Sequence, residues 1–323
     1  MTSAFVTGVG GQDGTYLARR LVGEGAEVHG LVLPSDDLAD VAGRLPPEVE
    51  LHVGQLEDAA GLREILVRLS PTEVYNLGGI SSVAFSWEKP GLTGLVSGLG
   101  AVYVYEAAAA AQEASGVPVR VVQASSAEIF GRAAVAPQDE STPIRPVSPY
   151  GAAKAYAHQM AGVFRSRGLH VATCILYNHE SPLRPPTFVT RKITAAVARI
   201  ARDGEGTLTL GDTSVRRDWG WAPDYVDALV RAVRHTVPDD FVVATGRTHT
   251  VDDFVAAAMA RAGITEWASH VVHDPELVRP ADAAEQVGDA SKAHRELGWV
   301  PTVQFDELVG RMVDHDLALL AVH

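Results

Sequence analysis

An α/β fold, with a doubly wound parallel sheet and a smaller α/β part interleaved with it, is what this sequence predicts, and three observations predict it. Over the first 180 residues, β-branched runs alternate with helical stretches. Strands separated by helices make βαβ units, whose sheets are parallel and covered on both faces. A glycine-rich turn joins the first run to the first helical stretch, and 323 residues are enough to bury one large or two intimate cores.

Strands are expected at residues 4–7, 27–33, 50–55, 73–77, 119–124 and 170–177. Helical patterns fall between them at 15–24, 60–69, 95–114 and 150–166. The alanine-rich stretch 101–114 suits a close-packed helix. After about residue 180 the organisation changes, with Pro182, Pro185 and Pro186 marking an irregular loop. A helix at 188–201, a strand at 207–210, a helix at 224–235, a strand at 241–244 and helices at 251–262 and 305–319 follow. No internal repeat or flexible linker is visible. Residues 1–177, with 215–247 contributing, are therefore expected to form the first domain, and 178–323 mainly the second.

The net charge is −13, from 40 acidic and 27 basic residues. That balance argues against nucleic acid or an anionic membrane as a general partner, since phosphates need an excess of Lys and Arg. A small anionic substrate requires a local concentration of arginines. The single cysteine, Cys174, permits no internal disulfide or cysteine metal cluster, and its apolar surroundings read as a buried strand. No charged-then-apolar leader opens the sequence, and no apolar run of about 18 residues is seen. Cytoplasmic placement is the expectation.

The run Thr7-Gly8-Val9-Gly10-Gly11-Gln12-Asp13-Gly14 places Gly8, Gly11 and Gly14 three apart, between a strand and a helix. Such a turn lets backbone approach a pyrophosphate, which meets the N–H groups of the helix start. This predicts a dinucleotide-binding, Rossmann-type sheet. Val32-Leu33-Pro34-Ser35-Asp36-Asp37 has no arginine to receive an added phosphate, so the local chemistry leans to NAD over NADP.

The strand at 119–124 leads into Ser125-Ser126-Ala127-Glu128, and Tyr150 and Lys154 follow at helical i, i+4 spacing. An ammonium near a phenol favours phenolate, so Lys154 is expected to draw the Tyr150 pKa from about 10 towards neutral and make it a base. Ser126 can hydrogen-bond the same substrate hydroxyl. Glu128 is the discriminating group: a carboxylate there can move a proton on the carbon beside a newly formed ketone, which enables elimination.

With these motifs in place the chain resembles the extended short-chain dehydrogenase/reductases (the NAD-dependent epimerase/dehydratases), and within them the GDP-mannose 4,6-dehydratases. The similarity is carried by the glycine run, Glu73-Val74-Tyr75-Asn76-Leu77, Gln123-Ala124-Ser125-Ser126-Ala127-Glu128, Asn178-His179-Glu180-Ser181-Pro182, Thr187-Phe188-Val189-Thr190-Arg191-Lys192 and Arg217-Asp218-Trp219-Gly220. The resemblance implies Ser126, Glu128, Tyr150 and Lys154 as the catalytic set. It implies Gly8, Gly11, Gln12, Asp13, Gly14, Gln55, Leu56 and Leu77, with Tyr150 and Lys154, around the cofactor. Ser82, Asn178, Lys192, Arg217 and Arg279 are implied to hold a nucleotide-diphosphate sugar. It also implies a tightly held NADP that is regenerated in each turnover, where the local residues lean to NAD.

Several positions depart from the family pattern. Leu33 and Pro34 stand where paired arginines are usual, and the longer loop that follows them in the family is mostly missing. Gln55 replaces an aspartate, Gly78-Gly79-Ile80-Ser81-Ser82 replaces an Ala-Ala-Gln-Ser-His-like run, and Leu183, Pro185 and Pro186 replace an arginine and a Gly-Glu pair. A 4,6-dehydratase acting on GDP-mannose is the leading expectation. An epimerase or 4-keto-sugar reductase on the same scaffold is the alternative, and a non-catalytic dinucleotide sensor a third. Apolar faces on the helices at 95–114 and 150–166 are expected, by the resemblance, to pair in a homodimer; without the longer loop a tetramer is not.

Overall fold

The structure is a computed structural model of the chain and describes residues 2–277, 281 and 283–321. Strand β1 (Ser3–Thr7) turns through the glycines into α1 (Gln12–Gly23). Then come β2 (Glu27–Val32), α2 (Leu38–Arg44), β3 (Glu50–Val53), α3 (Ala59–Leu69) and β4 (Glu73–Asn76). Helices α4 (Val83–Glu88) and α5 (Pro90–Thr93) run through a π turn at Gly94–Leu99 into α6 (Gly100–Ser115). Next are β5 (Arg120–Ser126), α7 (Pro149–Ser166), β6 (His170–Leu176) and β7 (Asn178–Glu180). Beyond these lie α8 (Val189–Asp203), β8 (Leu208–Leu210), β9 (Arg216–Trp221), α9 (Ala222–Arg234) and β10 (Asp240–Val243). The chain finishes with β11 (Thr248–Thr250), α10 (Val251–Arg261), β12 (Val271–His273), β13 (Glu285–Gln286) and α11 (Phe305–Ala321).

Seven strands form one parallel sheet in the order β10-β6-β5-β4-β1-β2-β3. The winding direction switches between β1 and β4, which opens a crevice outside their carboxyl ends. Helices α1 and α9 cover one face, where Leu17, Leu21, Val226 and Leu229 pack on Val6, Val122 and Cys174. Helices α3, α6 and α7 cover the other, where Leu62, Leu66, Tyr105, Ala157 and Phe164 pack on Phe5, Val74 and Val121. A third core gathers α8, α10 and α11 around Trp219 of β9. β9 pairs with β7, β11 and β13 in a small second sheet, and β8 pairs with β12.

The expected elements are present, with revised ends. Helix α1 begins at Gln12 because Gly11 caps it directly. The helix expected from residue 95 runs over Pro90–Ser115 and is, by length and composition, apolar enough to cross a membrane. That corrects the expectation of no long apolar stretch. It is a core helix: 61% of its most apolar window is buried, between α3 and α7. Cys174 is fully buried in β6, as expected.

Candidate active site

The predicted cofactor and catalytic residues converge on the carboxyl edge of the sheet. Gly8 adopts φ +69°, a conformation costly for any residue with a Cβ. It lies against Gly78, where an added Cβ would stand 3.0 Å from the neighbouring Cα. A Cβ at Gly14 would strike the Gly8 carbonyl and come within 2.6 Å of the Val9 Cα. Turn and helix can therefore approach this closely only as glycines. The Gly11 N–H donates to Gly8 O at 3.0 Å, and the bare first turn of α1 faces the crevice end with its unpaired amides. That cradle fits the pyrophosphate of a dinucleotide.

Behind the turn stands a pair that the sequence did not announce. His179 of β7 meets the Asp13 carboxylate at 2.9 Å through Nε2, and its Nδ1–H donates to Tyr177 O at 2.7 Å. Two donating ring nitrogens make the imidazole a cation. Burial alone would raise the Asp13 carboxyl, but the His179 charge and the hydrogen bonds from His179 and Gln12 outweigh it and hold the group below its ordinary value. Burial alone would lower His179, but the Asp13 charge and hydrogen bond raise it. Gln12 completes the link, donating to Asp13 Oδ1 and His179 O at 3.1 Å each and accepting from Ser181 Oγ at 2.8 Å. The glycine turn is thereby fastened to the strand that carries Asn178.

Ser148 caps α7 by accepting from the Gly151 N–H at 3.0 Å, and Pro149 opens the first turn, so Tyr150 and Lys154 stand one turn apart at its start. Ser126 ends β5; its Oγ hydrogen-bonds Tyr150 and accepts from the Glu128 N–H at 3.2 Å. Glu128 follows in a short 3₁₀ turn, and its Oε1 accepts from Gln286 Nε2 at 3.3 Å. The four expected catalytic residues are thus brought together.

Their electrostatics differ from the sequence expectation. Burial pushes the Tyr150 phenol up to about 12; the Ser126 bond lowers it, the Glu128 charge raises it and Arg184 lowers it. Lys154 does not draw the phenol towards neutral, because its Nζ donates to Ala124 O at 2.9 Å and lies 5.9 Å from the Tyr150 ring centre. Burial lowers Lys154 itself to about 8.

A buried hydrogen-bond chain connects the two halves of the site. Thr7 Oγ1 donates to Asn76 Oδ1 at 2.7 Å and accepts from the Gly78 N–H at 2.9 Å. Asn76 Nδ2 donates to Gln123 Oε1 at 2.6 Å, and Gln123 Nε2 donates to Ala124 O, the carbonyl that also receives Lys154.

The other expected residues are distributed around this centre. Leu77 follows β4 beside the glycine turn, and buried Leu56 packs under Gly78 and Gly100, while Gln55 is exposed just past β3. Ser82 caps α4, accepting from the Phe85 N–H at 3.1 Å. Asn178 opens β7 and Lys192 lies in the first turn of α8; both are partly buried. Arg217 is buried on β9 and donates to Arg216 O and Ala283 O at 2.8 Å each; its register partner is Gln286, the residue touching Glu128. Arg279 lies outside the described residues. Besides His179, sequence reasoning missed Arg184, whose charge acts on Tyr150, Asp13 and His179 while it pairs with buried Glu180 at 3.1 Å. It also missed Ser97, in the π turn, which holds both the N–H and the carbonyl of Ile80 in the segment replacing the family's usual run. Both sit beside motifs already singled out, and that adjacency was the available signal.

A family model described as GDP-mannose 4,6 dehydratase matches residues 5–312. GDP-mannose 4,6 dehydratase 1 of Arabidopsis thaliana is 42% identical over 326 residues, covering 98% of this chain and 90% of that protein. Among solved structures, a UDP-glucose 4-epimerase from Thermotoga maritima matches with a TM-score of 0.87 at 24% identity, covering 99% of this chain and all (100%) of that one; this likeness concerns the fold alone. A dTDP-glucose 4,6-dehydratase from Streptomyces venezuelae, solved with NAD bound, matches with a TM-score of 0.83 at 25% identity over 97% of this chain and 96% of that one. The glycine turn, the grouping of Ser126, Glu128, Tyr150 and Lys154, and the similarity over nearly the whole chain agree: the chain belongs to the GDP-mannose 4,6-dehydratase family.

Proposed function

We propose that this protein is a nucleotide-sugar 4,6-dehydratase that converts GDP-mannose to GDP-4-keto-6-deoxymannose. The observation that carries the reading is Glu128, a carboxylate held beside the Ser126–Tyr150 pair. Simple redox at one carbon has no use for it; elimination does.

The bare cradle at Gly8, Gly11 and Gly14 holds the pyrophosphate of the dinucleotide, with Lys154 and Tyr150 towards its nicotinamide end. A nicotinamide there supplies one thing, a hydride acceptor that later becomes the donor. Tyr150 Oη takes the proton of the C4 hydroxyl, and Ser126 Oγ orients both groups. Since the phenol stands near 12 in the protein by itself, with burial the main cause, positive charge entering with the ligands must favour phenolate for this step. Glu128 then removes the C5 proton beside the C4 ketone and protonates the leaving C6 hydroxyl, so that water departs. With the hydride returned to C6, the proton that Tyr150 took from the C4 hydroxyl would pass to C5, giving the 4-keto-6-deoxy sugar and restoring Tyr150 as the base.

NAD is the proposed cofactor. Asp36 occupies the end of β2, accepting from the Leu33 N–H at 2.8 Å, and Asp37 caps α2. Arg44 is directed to Gly10 O and Asp40. Two carboxylates at this point disfavour the extra phosphate of NADP. Residues 1–177, with 215–247, are proposed to serve the dinucleotide, and 178–323 the nucleotide sugar. A homodimer is proposed from exposed apolar side chains on one helical layer: Leu92, Leu95, Tyr156 and Val163 are each about two-fifths or more exposed. Light scattering that returned a monomer at micromolar concentration would remove the dimer.

The deciding experiment is Glu128→Gln with GDP-mannose. Oxidation at C4 should survive, and the variant should accumulate reduced nicotinamide and a 4-keto sugar of unchanged carbon skeleton, with exchange of the C5 proton into deuterated solvent abolished. Loss of water at near wild-type rate would sink the assignment. If the wild type exchanges that proton without ever losing water, an epimerase on the same residues replaces the dehydratase.

A further inference from the structure

At the β2–β3 edge of the sheet, to the side of the crevice, two imidazoles face each other, His29 midway along β2 and His52 near the carboxyl end of β3. The register pairs His29 with Glu50 and Leu31 with His52. Spacings of two put Glu27 and His29 on one face of β2, and Glu50 and His52 on the same face of β3. His29 is 3% and His52 9% exposed, so both rings are fixed by the strands that carry them. His29 Nδ1 and His52 Nε2 lie 3.1 Å apart. The Glu50 carboxylate spans the pair, with Oε2 3.5 Å from His29 Nδ1 and Oε1 3.6 Å from His52 Nε2.

These separations have a chemical meaning. A tetrahedral zinc with bonds of about 2.0–2.1 Å spaces its ligand atoms about 3.3 Å apart. The two ring nitrogens, and each of them with its nearer Glu50 oxygen, already stand close to that spacing, and two imidazoles with one carboxylate are a ligand set suited to zinc and similar divalent ions. The remaining nitrogen of His29, Nε2, faces Glu27 Oε1 at 3.3 Å. A carboxylate behind a ligating histidine fixes its orientation and tautomer, leaving the other nitrogen free to bind metal. Two glutamates beside two imidazoles also supply the negative charge that a dication neutralises.

We propose that His29, His52 and Glu50 form a divalent-metal site, zinc by preference, with Glu27 orienting His29. The metal pins β3, the edge strand, to β2. It takes no part in the sugar chemistry, whose proposed residues lie on β5, the turn after it and α7, and the site stands independently of the proposed activity.

The test uses the untagged full chain, stripped with chelator, dialysed, and titrated with zinc chloride. Calorimetry and metal analysis after gel filtration should give one zinc per chain, with a rise in Tm on binding. Cobalt(II) in its place should show the strong visible bands of tetrahedral coordination. Glu50→Gln alters an exposed side chain and should fold normally, keep its turnover, and bind zinc at least about tenfold more weakly, since even outer partners of a metal cost that much. His52→Gln should abolish binding. A wild type that retains no zinc overturns the proposal, leaving a plain histidine–histidine hydrogen bond. Zinc affinity unchanged in both variants also overturns it, by placing the metal elsewhere.

Discussion

Lys154 and His179 are both cations buried at the rim of the same crevice, and the protein treats them in opposite ways. Among the described residues Lys154 has a carbonyl as its direct partner, Ala124 O, and burial drags its ammonium down to about 8. His179 has a carboxylate in contact, and its pKa rises in spite of burial. An opposite charge at contact distance converts burial from a penalty into mutual support, whereas a neutral acceptor cannot offset the lost hydration. The first group is therefore poised near physiological pH, where chemistry can use it. The second is locked as a charge, and serves to hold the glycine turn onto β7.

The comparison breaks most severely if the reacting group is not where chemistry happens. Tyr150→Phe removes one hydroxyl from the corner that Lys154 serves, and turnover should fall on the order of a thousandfold with the fold unchanged by circular dichroism. Activity within about tenfold of wild type would take Tyr150 out of the base role.

Next in size is the locked pair. Asp13→Asn leaves a buried histidine without its counter-charge, which should cost about 3 kcal/mol of stability. The sign follows from both shifts. His179 is raised, so its contribution is complete below the unfolded value of 6.5 and disappears as pH rises through the folded value. Asp13 is lowered, so its contribution is complete above 3.8 and disappears as pH falls through the folded value. Denaturant unfolding should therefore show the full gap between wild type and variant near pH 5, narrowing on either side. Equal stability at pH 5 would mean that the pair is not a pair of ions.

The smallest effect is the most diagnostic. Lys154 falls from 10.5 to about 8 on folding, so its burial costs stability at neutral pH, and the cost is relieved as pH rises through that window. The shift corresponds to roughly 3 kcal/mol, of which the bond to Ala124 O recovers about 1. Lys154→Met should then be more stable than wild type by roughly 2 kcal/mol at pH 7, while losing turnover. A variant that is inactive and also less stable would show that Lys154 supports the fold as well as the chemistry.

How far the molecule was legible in its sequence depended on the range of the interactions involved. The long elements of the central sheet could be read because their signals are local: periodicity, the glycine turn, and the i, i+4 spacing of Tyr150 and Lys154 in α7. Strand β9 was missed because Arg216-Arg217-Asp218-Trp219-Gly220-Trp221 shows no alternation, being paired on both sides and buried through most of its length. Helix α2 did carry a signal, the Asp37 cap, but seven residues give periodicity little to work with. The proposed catalytic quartet was legible as residue types at known spacings, whereas its electrostatics were not. Spacing i, i+4 says that Lys154 shares a face with Tyr150, but not that the ammonium would reach past it to Ala124. The Asp13–His179 pair spans 166 residues and could come only from the folded chain.

The hydrogen-bond chain from Thr7 through Asn76 and Gln123 has a consequence for assembly. The parallel strands it crosses are rich in apolar side chains, and such strands can slide past one another while keeping their apolar contacts. Every side chain changes face on a slip of one residue. Were β4 to slip by one against β1 or β5, Asn76 would leave both partners and bring an amide without acceptors into the interior, at about 1–3 kcal/mol for each unmatched group. The neighbouring amide of Gln123 would lose one of its two donors in the same event, keeping Tyr105 Oη. Misaligned sheets are thus disfavoured at the step where β1, β4 and β5 first meet, and the alignment that survives is the one in which Lys154 finds its carbonyl.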